Sequence, residues 1–129
     1  MLGLFNFFGR SDSLKALDQA FRSFDVHPRL VPEAVKLTTI RLMQKASAAD
    51  YKLRDADYEK AAELISFAIL GPNQFVASNS LSDAERAEQR VEEAIEDGDS
   101  IDAQLILLAV HSGIIHPTVA EQVDGEDGE

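Results

Sequence analysis

The stretch Ile101-Asp-Ala-Gln-Leu-Ile-Leu-Leu-Ala-Val110 contains the longest uninterrupted apolar run of the chain, from Leu105 to Val110. Drawn as a helix, this stretch carries apolar residues on all sides, which is typical of a helix covered by its neighbours. Ser100 before it and Gly113 after it are residues that commonly cap helix ends. The sequence therefore predicts a central helix over residues 101–112.

Helical periodicity continues on both sides of this stretch, and the strict alternation of strands is missing. Two further helices are predicted before residue 50, one from a cap at Ser11 or Ser13 to about Asp25 and one from Pro32 to about Ala46. The predicted fold is all-α. We expect a compact bundle of five main helices plus a short C-terminal helix, with helix 101–112 central.

The third predicted helix covers residues 55–70, begins at an aspartate cap and is closed by Gly71-Pro72. The residues that follow, 73–80, are short and mostly polar. They are predicted to form a connecting loop with one turn anchored by Phe75 and Val76.

The fourth helix is predicted from a capping box, which Ser82 and Glu85 form, to Gly98 at its end. Its inward stripe is thin and consists of Ala84, Ala87, Val91, Ala94 and Ile95. Glutamates cover the remaining surface, so this is predicted to be a surface helix.

Charge is distributed unevenly along the chain. Residues 1–78 carry ten basic and nine acidic side chains, whereas residues 79–129 carry two basic and fourteen acidic ones, a net charge of −12. Such a segment does not suit a nucleic-acid backbone, and no basic stripe is found elsewhere. A basic protein partner and a merely solvated acidic face are the two alternatives.

Several function classes are excluded or disfavoured by composition. The chain has no cysteine, so it has no disulfide, zinc–thiolate site or thiol nucleophile, and we expect it in the cytoplasm. Its longest apolar run is far shorter than the ~20 residues that a membrane-spanning helix needs. No nucleophile motif accompanies the three histidines, His27, His111 and His116. No catalytic residue, cofactor or metal site is predicted.

Two acidic loops, around residues 55–59 and 97–102, lack the ligand spacing of a calcium loop and are predicted to cap helices. The string Glu96-Asp-Gly-Asp-Ser-Ile-Asp102 resembles the Asp-Gly loop of TerB-type tellurite-resistance helical domains, whose carboxylates are associated with metal. Gln104 stands where that family has a later acid, and no function is carried over.

Two His-Pro dipeptides, His27-Pro28 and His116-Pro117, each precede a helical segment. We interpret both as N-cap residues with proline in the first helical turn. The second begins a short helix to about Val123, and the acidic residues 124–129 are predicted to be a disordered tail.

The N-terminal segment 1–9 holds three of the seven phenylalanines and, as a helix, groups its apolar residues on one side. These residues are Leu4, Phe5, Phe7 and Phe8. They are expected to pack on the chain's own domain (10–123) or a second copy, to enter a partner's groove, or to contact an anionic membrane surface.

The function predicted from these observations is a protein-interaction or regulatory module without catalytic activity, which includes the case of a homodimer. The alternative is a small helical enzyme or metal-dependent hydrolase whose carboxylates the fold brings together. The predicted partner-binding residues are the N-terminal set Leu4, Phe5, Phe7 and Phe8 and the fourth-helix set Glu85, Glu88, Glu92 and Glu96.

Overall fold

The computed structural model describes the backbone of residues 2–128 and the side chains of residues 12–124, and within these it contains helices and no strand. The six α-helices are α1 Leu2–Ser23, α2 Glu33–Ala46, α3 Asp55–Ser78, α4 Leu81–Glu96, α5 Ile101–His111 and α6 Pro117–Gly128. A short 3-10 turn, Pro28–Leu30, lies between α1 and α2. The predicted all-α bundle with a short C-terminal helix is confirmed.

Helix α3 lies at the centre of the bundle and contacts α1, α4, α5 and α6. Every residue from 61 to 68 is buried, and the alanines in this stretch let neighbouring helices approach from several sides. The expectation that helix 101–112 is central is therefore corrected. Helix α5 buries Leu105 and Ile106 but leaves Leu107 48% exposed. Apolar residues on all sides of α5 therefore did not mean that neighbouring helices cover it on all sides.

Helix α3 breaks at Gly71 and does not end there. Gly71 has φ 82° and ψ 164°, and Pro72 after it has no N–H to donate to the carbonyl of Ala68. The backbone N–H of His116 donates to that carbonyl instead, at 2.6 Å. The break in α3 is thus joined to the segment that precedes α6.

The loop predicted over residues 73–80 is wrong for most of its length, because the helix resumes after the break and continues to Ser78. Of the two predicted anchors, Phe75 is fully buried and Val76 is 37% exposed. The Phe75 ring lies 6.2 Å from that of Phe24 and 5.5 Å from that of Phe67, centroid to centroid. Burial of this aromatic side chain favours a helical turn where the local sequence indicated a loop.

The first helix begins earlier than predicted, at Leu2, so neither Ser11 nor Ser13 caps it. No proline interrupts the helical pattern there, and Ser13 lies inside α1, where its Oγ accepts a hydrogen bond from the Tyr58 hydroxyl at 3.3 Å. The inward side of α1 is confirmed at Leu17 and Phe21, which are fully buried.

Helix α4 is capped by Ser80, not by the predicted pair of Ser82 and Glu85. Ser80 has an extended backbone, and its Oγ accepts a hydrogen bond from the Asp83 N–H at 3.1 Å. The helix therefore starts before Ser82. The predicted cap of α5 is confirmed, since Ser100 Oγ accepts from an N–H of the first turn at 3.1 Å.

We expect Ser80→Ala to lower the free energy of unfolding by about 1 kcal/mol, because the substitution removes the acceptor for the Asp83 N–H. Ser82→Ala is the matched control and is expected to change it by less than about 0.5 kcal/mol. Urea unfolding of both variants measures the difference. If Ser82→Ala lowers the free energy of unfolding more than Ser80→Ala does, Ser80 is not the cap of α4.

The predicted end segments are only partly covered. Helix α6 continues past its predicted end at about Val123 to Gly128, so the backbone of residues 124–128 is helical. Side chains of residues 1–11 and 125–129 lie outside those described, so the role of segment 1–9 stays a prediction. Among the helices that could be searched, none is long and apolar enough to cross a bilayer.

Candidate functional site

Helix α4 packs on α3 and α5 through small side chains. The predicted inward stripe is confirmed: Ile95 is partly buried, and four residues are fully inward, namely Ala84, Ala87, Val91 and Ala94. Alanine side chains allow a close approach between helices but bury little apolar area. The opposite side of α4 is exposed to solvent.

The four glutamates predicted as partner-binding residues are all exposed on this outer side: Glu85, Glu88, Glu92 and Glu96. Within the described side chains, none of the four forms a hydrogen bond or an ion pair. Their negative charge is therefore not neutralised by a neighbouring cation.

The basic residues of α4 lie on a different side of the helix. Arg90 is 9% exposed and forms a bidentate pair with Asp102, with Nε and Nη2 donating to the carboxylate at 3.0 and 2.9 Å. Its Nη1 donates to Glu63 at 3.3 Å and to the Lys60 carbonyl at 2.8 Å. One buried guanidinium thus joins α3, α4 and the first turn of α5.

Arg86 lies one turn earlier on the same side. Its Nε and Nη2 donate to the two carboxylate oxygens of Glu63 at 3.2 and 2.6 Å, and Nη2 also donates to Asp83 at 2.7 Å. The hydrogen bond to Glu63, followed by that to Asp83, raises the pKa of Arg86. We call Glu63, Asp83, Arg86, Arg90 and Asp102 the arginine network.

The arginine network was not predicted from the sequence. Two signals pointed to it: Glu63 stands alone in the buried stretch 61–68, and Arg86 and Arg90 are the only basic residues after Ser78. Spaced four apart, these arginines share one side of a helix. A lone carboxylate in an apolar stretch calls for a cationic partner of this kind.

The network answers part of the enzyme hypothesis, because the fold does bring three carboxylates together. Glu63, Asp83 and Asp102 each accept hydrogen bonds from a guanidinium group. No cluster of three or more histidine or carboxylate side chains suited to a metal ion occurs in the searched part of the chain. Each of the three carboxylates forms an ion pair with Arg86 or Arg90.

A pocket of about 170 Å³ next to the network has four charged side chains in its lining, Asp57, Lys60, Arg90 and Asp102. Arg90 and Asp102 bind each other. Asp57 accepts from the Arg54 N–H at 2.8 Å and from the Tyr51 hydroxyl at 2.7 Å. Only Lys60 has a side chain without a hydrogen bond to the described residues, so the pocket offers no pair of free titratable groups.

The first acidic loop serves the start of α3 through Asp57 in the first turn, but the predicted aspartate cap is wrong because Arg54 is the N-cap. In the second loop the hydroxyl of Ser100, and not a carboxylate, caps α5. The hydrogen bond from the Arg54 N–H, together with that from Tyr51, lowers the pKa of Asp57. The same contact with Asp57 raises the pKa of the Tyr51 hydroxyl. In the second loop, Asp97 accepts from the Asp99 N–H at 3.2 Å.

Two of the three histidines cap helical segments, which confirms the interpretation of the His-Pro pairs. His27 Nδ1 accepts from the Arg29 N–H, and His116 Nδ1 accepts from the Thr118 N–H, both at 3.1 Å. His111 is exposed in the last turn of α5.

The N-terminal candidates Leu4, Phe5, Phe7 and Phe8 lie outside the residues whose side chains are described, although their backbone belongs to α1. Their predicted roles stay predictions.

No protein-family model, curated protein or solved structure matches this chain.

Proposed function

We propose that the chain is a protein-interaction module without catalytic activity, and that it binds a basic partner through the outer side of α4. The observation that carries this proposal is the separation of charge on one helix. Arg86 and Arg90 are both committed to the arginine network, while Glu88, Glu92 and Glu96 remain exposed and unpaired.

This separation has an electrostatic consequence. A row of carboxylates without internal counter-charges produces a negative potential that attracts cationic surfaces and speeds their association. Because Arg90 is held by Glu63 and Asp102, it cannot turn outward to cancel that potential without leaving Asp102 unpaired, and Arg86 is bound to Glu63 and Asp83. The arginine network therefore keeps the outer side of α4 acidic.

A peptide of lysine, glycine and serine tests the proposal, since it is basic and has no apolar side chains. We expect it to bind the chain with an affinity that falls steeply as salt is added. Reversing Glu88, Glu92 and Glu96 to Lys should weaken binding by at least about tenfold. Fluorescence anisotropy with a labelled peptide measures both effects.

The matched control reverses three exposed carboxylates elsewhere, Asp12, Asp50 and Glu59, and changes the net charge by the same amount. This control variant should keep most of the affinity. Equal losses in the two triple variants would show that only net charge matters and would contradict the proposal. Binding that ignores salt and disappears on deletion of residues 1–9 would instead favour the N-terminal segment.

A further inference from the structure

A groove of about 190 Å³ lies where α4, α5 and α6 meet. Its lining is apolar and includes Ile95 of α4, Ile106 and Leu107 of α5, and Val123 of α6. Leu107 is 48% exposed although it belongs to the most apolar stretch of the sequence. An apolar cavity of about 150 Å³ is large enough to bind benzene, so this groove has room for one bulky apolar side chain.

The groove lies beside the acidic side of α4 and away from its arginines. Glu88 and Glu92 precede Ile95 by seven and three residues, which places all three within an arc of about 60° on the helix surface. Arg90 lies about 140° from Ile95 by the same geometry. Glu88 and Glu92 therefore lie on the same side of α4 as Ile95, although neither lines the groove itself.

Among the described side chains, no lysine or arginine lines the groove. Asp99 lies in the turn between α4 and α5, and Asp124 follows Val123 on α6. His111, four residues after Leu107, is the one imidazole on this side of α5. A cationic ligand therefore meets carboxylates at several points around an apolar centre.

We propose that this groove binds a basic amphipathic helix of a partner protein, with a bulky apolar side chain of that helix inserted between Ile95 and Leu107. The lysines or arginines of that helix lie against Glu88 and Glu92. This inference rests on the proposed function and adds the chemistry of the partner. An apolar anchor within a polar rim is the arrangement in which interface energy concentrates.

Charge argues for this occupant over a second copy of the chain. The chain carries a net charge of −11, and residues 79–129 account for −12. The acidic side of one copy would meet the acidic surroundings of the groove in another, which is unfavourable. A helix with both apolar and basic sides satisfies the centre and the rim together.

Two helical peptides of equal length and equal lysine content test the inference, one with phenylalanine and leucine along one side and the other with serine in those positions. We expect the apolar peptide to bind at least about tenfold more tightly. Leu107→Ser should remove that advantage and leave the binding of the serine peptide unchanged. Leu30→Ser is the matched control, because Leu30 is 58% exposed and does not line the groove.

Each outcome of this comparison decides something. If both peptides bind equally and both are weakened by reversal of Glu88 and Glu92, the proposed function stands and the groove is not the site. If Leu107→Ser and Leu30→Ser change the affinity for the apolar peptide equally, the groove is likewise not the site, and the proposed function is unaffected. Failure of both peptides to bind would overturn both proposals. A dimer in sedimentation experiments that Leu107→Ser makes monomeric would identify a second copy as the occupant and overturn the inference.

Discussion

Arg90→Met is expected to lower the free energy of unfolding by about 3 kcal/mol, which is the lower end of the range for breaking a buried ion pair. The substitution leaves the Asp102 carboxylate without its bidentate partner and the Lys60 carbonyl without its donor. The effect stays at the lower end because Glu63 keeps Arg86 and because the Asp102 side chain is 20% exposed. Urea unfolding followed by circular dichroism measures the change.

Arg86→Met is the control for this prediction, since Arg86 shares the partner Glu63 but its side chain is 56% exposed. Arg86→Met should lower the free energy of unfolding by about 1 kcal/mol or less, because exposed ion pairs contribute little to stability. Arg90→Lys keeps the charge without the planar fork, so it is expected to recover only part of the loss. Equal costs for Arg86→Met and Arg90→Met would show that burial does not determine the strength of this network.

The sequence predicted those elements whose signals are local. Ser100 and the periodicity of residues 101–111 lie within one helix, so the cap and the extent of α5 follow without knowledge of the rest of the fold. The thin stripe of α4 and its exposed glutamates follow from helical spacing for the same reason. The candidate site was therefore predictable as an exposed acidic surface.

The features that escaped prediction depend on partners distant in the sequence. Arg90 looks like one more polar residue of a surface helix, and it is buried only because Glu63 precedes it by 27 positions and Asp102 follows it by 12. Local pattern likewise cannot assign the central helix. Apolarity on all sides favours α5, and yet α3, whose buried stretch includes Glu63, is central because four other helices pack around it.

Gly71-Pro72 correctly predicted the break in α3, but the loop predicted after it is a helical stretch. Glycine and proline do end the first part of α3, but proline also suits the first turn of a new helical stretch. Whether the chain continues as loop or helix depends on what Phe75 contacts. The rings of Phe24 and Phe67 supply that contact from elsewhere in the sequence.

Gly71→Ala is expected to lower the free energy of unfolding by about 2–6 kcal/mol, through two independent costs. The backbone at φ 82° and ψ 164° lies in a region that is nearly restricted to glycine, and it costs a residue with a Cβ about 1–3 kcal/mol. The added Cβ would also lie 2.7 Å from Cγ of the His116 ring. That ring cannot easily move, because the His116 N–H is bound to Ala68 and its Nδ1 caps the next helix. Crowding of this kind adds about 1–3 kcal/mol.

Two other glycines distinguish the backbone cost from the crowding cost. Gly113 has the positive φ without the crowding, and Gly98 has neither. Gly113 has φ 71° with no atom near its would-be Cβ, so Gly113→Ala should show the backbone cost alone, about 1–2 kcal/mol. Gly98 has neither feature, and Gly98→Ala should stay within about 0.5 kcal/mol of the parent. Combining Gly71→Ala with His116→Ala should cost less than the sum of the two single variants, because the contact that both disturb is counted once. If Gly71→Ala and Gly113→Ala prove equal in urea unfolding, the contact with His116 does not constrain the break in α3, and the strained backbone alone accounts for the glycine.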